Sequence, residues 1–190
     1  MNVRPSLRIA ASVAMTFAGC VSVTPPWIPA ETGSFHPPGQ QASFTAPVGW
    51  MRASKIGPDG IIYTRDGILL QCITVERRLL DKALPHSKLP LQSTMLALEA
   101  ADAYVANLQA SGACPDLGIV DLQPADVGGA SGFRLEYTFL ADGSIRMGNV
   151  VYGVVRADGL HLLRYRAPIR HYFAANLADF EQLAASYQLH

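Results

Sequence analysis

The chain has 190 residues, with 15 basic and 15 acidic side chains, and 49% of it is apolar. That is enough for one ordinary domain plus an appendage, in a composition typical of folded rather than disordered chains. A net charge of zero excludes the basic stripe of a nucleic-acid binder. Three cysteines without paired CxxC spacing exclude both a disulfide scaffold and a local zinc motif.

The chain opens with Arg4 and Arg8, followed by an apolar stretch from Ile9 to Ala18. This is the length of a secretory signal core and well short of the roughly 20 residues a membrane span needs. The stretch ends in Phe17-Ala18-Gly19-Cys20, which resembles the lipobox of bacterial lipoproteins, with Phe17 where leucine is usual. The resemblance implies cleavage before Cys20 and lipid attachment to its thiol, so residues 1–19 are expected to be a signal peptide. Two or three acyl chains would hold the protein on a membrane where a single chain is marginal. Val21 after the cysteine, by the enterobacterial pattern, implies the outer membrane, on its inner leaflet facing the periplasm. Loss of residues 1–19 leaves 13 basic against 15 acidic residues.

Residues 20–42 read as the lipidated cysteine and a linker: five prolines and two glycines follow without periodicity. Such a stretch is extended and semi-rigid. Trp27 and Phe35 are isolated aromatics within it, expected to graze the membrane or the domain. The folded domain is expected over 43–190. Asp-Gly pairs at Asp59, Asp66, Asp142 and Asp158 mark hairpin turns between apolar or alternating runs. They delimit strands over Trp50–Ile56, Ile61–Arg65, Ile68–Arg77, Gly132–Leu140, Arg146–Arg156 and Leu160–Ala167. Phe133 to Phe139 alternates cleanly, whereas Ile68-Leu69-Leu70 does not and reads as a strand covered on both faces.

Between the strand groups, Leu91, Met95, Leu98, Val105 and Leu108 recur at helical spacing, which predicts a helix over 91–110. Pro90 suits its first turn and Gly112 its stop. A second helix is expected directly after Pro168, with Ile169, Tyr172, Phe173, Leu177, Phe180 and Leu183 on its apolar face. Residues 186–189 suit a short closing strand. The fold class is therefore α+β, a mainly antiparallel sheet with two helices.

Three segments also carry a family resemblance. Pro47-Val48-Gly49-Trp50, Gly132-Phe133-Arg134-Leu135-Glu136-Tyr137 and the ending Ala167-Pro168, Tyr172-Phe173, Phe180 and Ser186-Tyr187 resemble the PsbP-like fold, which bacterial lipoproteins related to DcrB share. The resemblance spans about residues 43–189. It implies an adaptor or accessory role and no particular reaction or cofactor.

The candidate chemistry is sparse. Ser131 lies in Gly128-Gly129-Ala130-Ser131-Gly132, which does not satisfy Gly-x-Ser-x-Gly and leads into a strand, so it reads as a flexible connection. His36, His86, His161, His171 and His190 share no metal-ligand spacing. Cys72 and Cys114 are an even pair once Cys20 is lipidated, and an oxidising periplasm favours a bridge between them. Chain entropy over so long a loop would give roughly 4 kcal/mol. Two unrelated thiols are the alternative. Arg164, Arg166 and Arg170, among Tyr165, Tyr172 and Phe173, form the densest cationic and aromatic stretch. They are the candidate docking surface, because arginine is enriched at interface hot spots; the alternative is that they simply face water. The leading reading is a lipid-anchored, non-enzymatic binding module of the envelope, without cofactor, whose partner is an envelope protein. A small enzyme or ligand-binding protein with a dispersed site, and a structural envelope lipoprotein, are the other two.

Overall fold

The computed structural model describes residues 26–55, 60–88 and 90–190. The signal peptide, Cys20 and Asp59 lie outside the described residues. In chain order the elements are β1 (Trp27–Pro29), β2 (Ser34–Phe35), β3 (Ala42–Thr45), β4 (Met51–Ala53), β5 (Ile61–Thr64), β6 (Cys72–Arg78) and α1 (Ala97–Ser111). Then come β7 (Gly118–Val127), β8 (Ala130–Ala141), β9 (Ile145–Arg156), β10 (Gly159–Pro168), a π turn (Ile169–Phe173), α2 (Ala174–Ser186) and β11 (Gln188–Leu189).

Eight strands form one antiparallel sheet in the order β1-β4-β5-β6-β10-β9-β8-β7, and β11-β3-β2 form a small second sheet. The long hairpins follow from turn chemistry. Asp142-Gly143 joins β8 to β9 and Asp158-Gly159 joins β9 to β10, as their sequence predicts. The Gly128–Gly132 segment is not a flexible connection. Gly128 and Gly129 both have positive φ, 65° and 83°, and close the tight β7–β8 hairpin, in which Ser131 pairs with Asp126. β7 itself is not foreseen from sequence, because Pro124 and its mostly exposed side chains hide it. It is an edge strand, where a missing N–H is tolerated.

The sheet is buried on both faces by alternation along its central strands. Leu163, Tyr165 and Ala167 of β10 point into a core with Phe44, Trp50, Phe180, Leu183 and Tyr187, covered by α2 and the small sheet. Leu160 and Leu162 point the other way, into a core with Tyr104, Phe133, Leu135 and Val151, covered by α1. Gly153 is required there, since a Cβ would sit 2.3 Å from the Phe133 ring.

Four further expectations change. Ile68, Leu69 and Leu70 are not strand but an exposed turn, Leu69 being 84% exposed; Gly67, at φ 117°, accepts from the N–H groups of Leu70 and Gln71 and folds the chain back before β6 starts. The first helix begins at Ala97, not Leu91, with the Glu99 carboxylate accepting from the Leu96 N–H at 2.9 Å. It buries Ala100, Ala101, Ala103, Tyr104 and Asn107, while Leu98 faces out; small residues let the helix lie close to the sheet. The second helix starts later than Pro168, because Arg170 and His171 (φ 75°) break the helical path in the π turn. Finally, residues 27–35 of the expected linker belong to the domain. Trp27–Pro29 pairs with Met51–Ala53, Phe35 packs edge-on against Phe44, and Arg52 holds Glu31. No helix among the described residues is long and apolar enough to cross a membrane.

Candidate functional site: an arginine pocket beside α1

The even-numbered face of β10 changes character along its length. Leu160 and Leu162 are sealed in the α1 core, but Arg164 and Arg166 follow them on the same face. α1 packs mainly over β7, β8 and β9, and its Tyr104 lies beside Arg164. A pocket of about 220 Å³ remains there. Its floor is Arg164 and Arg166 with Cys72 and Thr74 of β6 and Asn149 of β9, and its apolar wall is Ile62 of β5 and Ile68 of the exposed turn. Strand register makes this floor: Arg166 lies opposite both Cys72 and Asn149, and Arg164 lies opposite Thr74 and Val151.

Glu76 anchors the cluster. Its side chain is 1% exposed, and Arg164 Nη2 lies 2.9 Å from Oε1 in an ion pair. Arg78 reaches the same carboxylate from the other side, Nε to Oε2 at 2.9 Å and Nη2 to Oε1 at 3.1 Å. A buried carboxylate alone would be strongly unfavourable, and this double pairing stabilises it. For Arg164, burial works against the charged form, but the neighbouring Tyr104, Glu76 and Tyr137 outweigh it and hold its pKa above the ordinary arginine value. Burial pushes the Tyr104 hydroxyl up, so it stays protonated beside that guanidinium.

Two donors at the pocket are unanswered. Asn149 is 5% exposed and its Nδ2 has no partner among the described residues; the same holds for Arg164 Nε. Leaving such a group unpaired in the folded state costs about 1–3 kcal/mol, so each calls for an acceptor. None of the described residues lining the pocket is a carboxylate, and Glu76 is already committed to Arg78 and Arg164.

Of the residues singled out in sequence, the structure brings Arg164 and Arg166 together and leaves Arg170 out. Arg170 lies beyond the strand, exposed in the π turn. Cys72 and Cys114 are both free thiols, so the expected bridge is not formed. Cys72 lies on β6, and Cys114 follows α1 within electrostatic reach of Arg164, Arg166 and Tyr137. Burial also pushes the Cys114 thiol up, against the pull of Arg164 and Arg166. Asn149 is the residue that sequence reading misses. It sits in the apolar run Val150-Val151 as one more strand position, and only its register against Arg166 marks it.

No protein-family model matches the chain, and no curated protein sequence matches it significantly. Solved structures do match. The solution structure of cyanobacterial PsbP (CyanoP) from Synechocystis sp. PCC 6803 shares 13% identity, covers 93% of this chain and 99% of its own, with a TM-score of 0.56. The Ran-binding protein Mog1p of Saccharomyces cerevisiae shares 11% identity over 84% of this chain and 96% of its own, also at 0.56. A crystal structure from Bacteroides thetaiotaomicron shares 10% identity at a TM-score of 0.50, and there the match spans only 48% of the other chain. At such identities the likeness is one of fold. The mainly antiparallel sheet flanked by two helices is a PsbP-like fold.

Proposed function

We propose that this protein is a lipid-anchored, non-enzymatic binding module of the bacterial cell envelope, held by Cys20 at the periplasmic face of the outer membrane and binding through the Arg164–Arg166 pocket. The observation that carries the binding role is the pair of unanswered donors, Asn149 Nδ2 and Arg164 Nε, at a pocket whose neighbouring carboxylate is already used. The anchor rests on the Phe17-Ala18-Gly19-Cys20 resemblance. Because Trp27 already pairs in the sheet, six residues separate it from Cys20, a reach of roughly 25 Å over seven Cα steps at full extension. The domain would thus work close to the membrane surface instead of swinging on a long tether.

Two measurements test this reading. Cys20→Ser should abolish labelling by a metabolic fatty-acid probe and leave unprocessed precursor; equal labelling of both forms refutes the anchor. For binding, a water-soluble envelope extract added to the isotope-labelled protein should shift the Asn149 side-chain amide resonance. An extract that leaves that signal in place refutes the pocket's role. A second reading, an envelope protein that sets an acidic group on Arg166 and an apolar one on the adjoining turn, is favoured by the exposure of Leu69. In that case Leu69→Ser would weaken capture as strongly as Arg166→Ala.

A further inference from the structure

We propose that the pocket is built for a carboxylate borne on a short apolar group, with Asn149 and Arg164 holding the two oxygens and Arg166 closing over the charge. The inference deepens the binding role proposed above and rests on it.

The ligand's charge follows from the local balance. Two guanidinium groups, Arg164 and Arg166, line the pocket, and the carboxylate that pairs with Arg164, Glu76, is shared with Arg78. A ligand that adds negative charge relieves this excess, and one that adds positive charge aggravates it. The geometry of demand follows from the unanswered atoms. Both are N–H donors, both are buried, and they come from adjacent strands, β10 and β9. A carboxylate supplies two acceptor oxygens in one plane, a match that arginine and amide donors recognise well.

The rest of the pocket selects against a bare inorganic anion. Ile62 and Ile68 form the opposite wall, and the third and fourth oxygens of a phosphate would lose water against them without gaining donors. An alkyl group fits there. The size is restrictive too: about 220 Å³ falls below the roughly 300–1,000 Å³ of sites for drug-sized ligands. Arg166 is exposed and stands at the mouth, where it can meet the charge as it enters. One chemistry, a carboxylate on a short apolar stem, can come either from a free short-chain acid or from the C-terminus of a peptide ending in an aliphatic residue.

The test uses the full isotope-labelled chain, titrated with butyrate, its neutral isostere butyramide, and inorganic phosphate. Butyrate should shift the Asn149 side-chain amide and Arg164 Nε–H resonances to saturation. Butyramide and phosphate should bind at least about tenfold more weakly, the difference expected for a charge-assisted hydrogen bond. Asn149→Leu, near its parent in volume, should weaken butyrate by about tenfold or more for the same reason. Should that variant not fold, Arg166→Ala, at an exposed position, should still weaken it severalfold with an unchanged circular dichroism spectrum. A dipeptide ending in valine with a free carboxylate is compared with its C-terminal amide. Tighter binding of the acid than of butyrate identifies a peptide terminus as the source, and the reverse a free acid; both support the carboxylate. Equal binding of butyrate and butyramide, or tighter binding of phosphate, overturns the ligand class. If an envelope extract still moves Asn149 while butyrate does not, only this inference fails; if neither moves it, the binding role fails as well.

Discussion

The two faces of the central sheet are finished differently. On the α2 face, several polar groups are tied down, although Gln71 Oε1, just before β6, has no partner among the described residues. The Trp50 indole donates to Asp179 at 2.9 Å, the Tyr165 hydroxyl donates to the Tyr172 carbonyl at 2.9 Å, and Tyr152 donates to Glu181 at 2.6 Å. On the α1 face, one half is packed with apolar side chains, but the other keeps a buried acid, paired arginines and two donors with no acceptor among the described residues. One face is built to hold the fold together. The other gives up some of that stability at one end, and unpaired buried donors are where a binding role shows itself physically.

The largest loss of stability is expected on the α2 face. Phe180 is fully buried and stacks on Tyr165 with ring centroids 5.7 Å apart. Phe180→Ala should cost about 3–5 kcal/mol in chemical denaturation. Because the loss is one of packing, the pocket resonances should be unchanged in the fraction that remains folded.

On the α1 face, Glu76→Gln removes the charge that Arg78 and Arg164 share while keeping the side chain's shape. The expected cost is about 1–3 kcal/mol, below that of a fully buried pair because both arginines are partly exposed. The same change raises the pocket's positive charge, so anion binding should tighten as stability falls. A loss of both stability and binding would mean that Glu76 chiefly positions Arg164.

The smallest effect expected is a pH dependence belonging to the α2 face. His161 is 1% exposed; its Nε2–H donates to Asp158 at 3.1 Å, and its Nδ1 accepts from the Tyr187 hydroxyl at 2.9 Å. Neutral imidazole satisfies both bonds. Burial holds its pKa below the usual 6.5 and outweighs the pull of Asp158, while Arg77 and Arg156 act with burial. The unfolded chain therefore takes up the proton first as pH falls, so stability is full above about 6.5 and declines on acidification below it. Asp158, held below its ordinary value despite some burial, chiefly by its hydrogen bond to His161, adds a loss in the same direction at lower pH. In His161→Gln the difference in denaturation free energy between about pH 7.5 and pH 5.5 should shrink. An undiminished difference would place the titration at another group.

Features that depend on near neighbours along the chain are legible in the sequence. Asp142-Gly143 and Asp158-Gly159 announced their hairpins, and the alternation from Phe133 to Phe139 announced a strand with one apolar face. The arrangement of strands and helices announced the α+β class and, through the PsbP-like segments, the fold. Features that depend on which strand lies beside which emerge only in the folded chain. Trp27–Pro29 looks like linker until β4 offers it hydrogen bonds, and Ile68 to Leu70 looks like core until Gly67 turns it outward. The site is the clearest case. Arg164 and Arg166 are legible as neighbours because a period of two puts them on one face, but Arg170 is equally close in sequence and lies elsewhere. Asn149, Cys72 and Glu76 join them only through the β6-β10-β9 order, which periodicity does not report. A side chain's face is a local property of the backbone; its company is set by long-range pairing, and the chemistry of this pocket lies in the company.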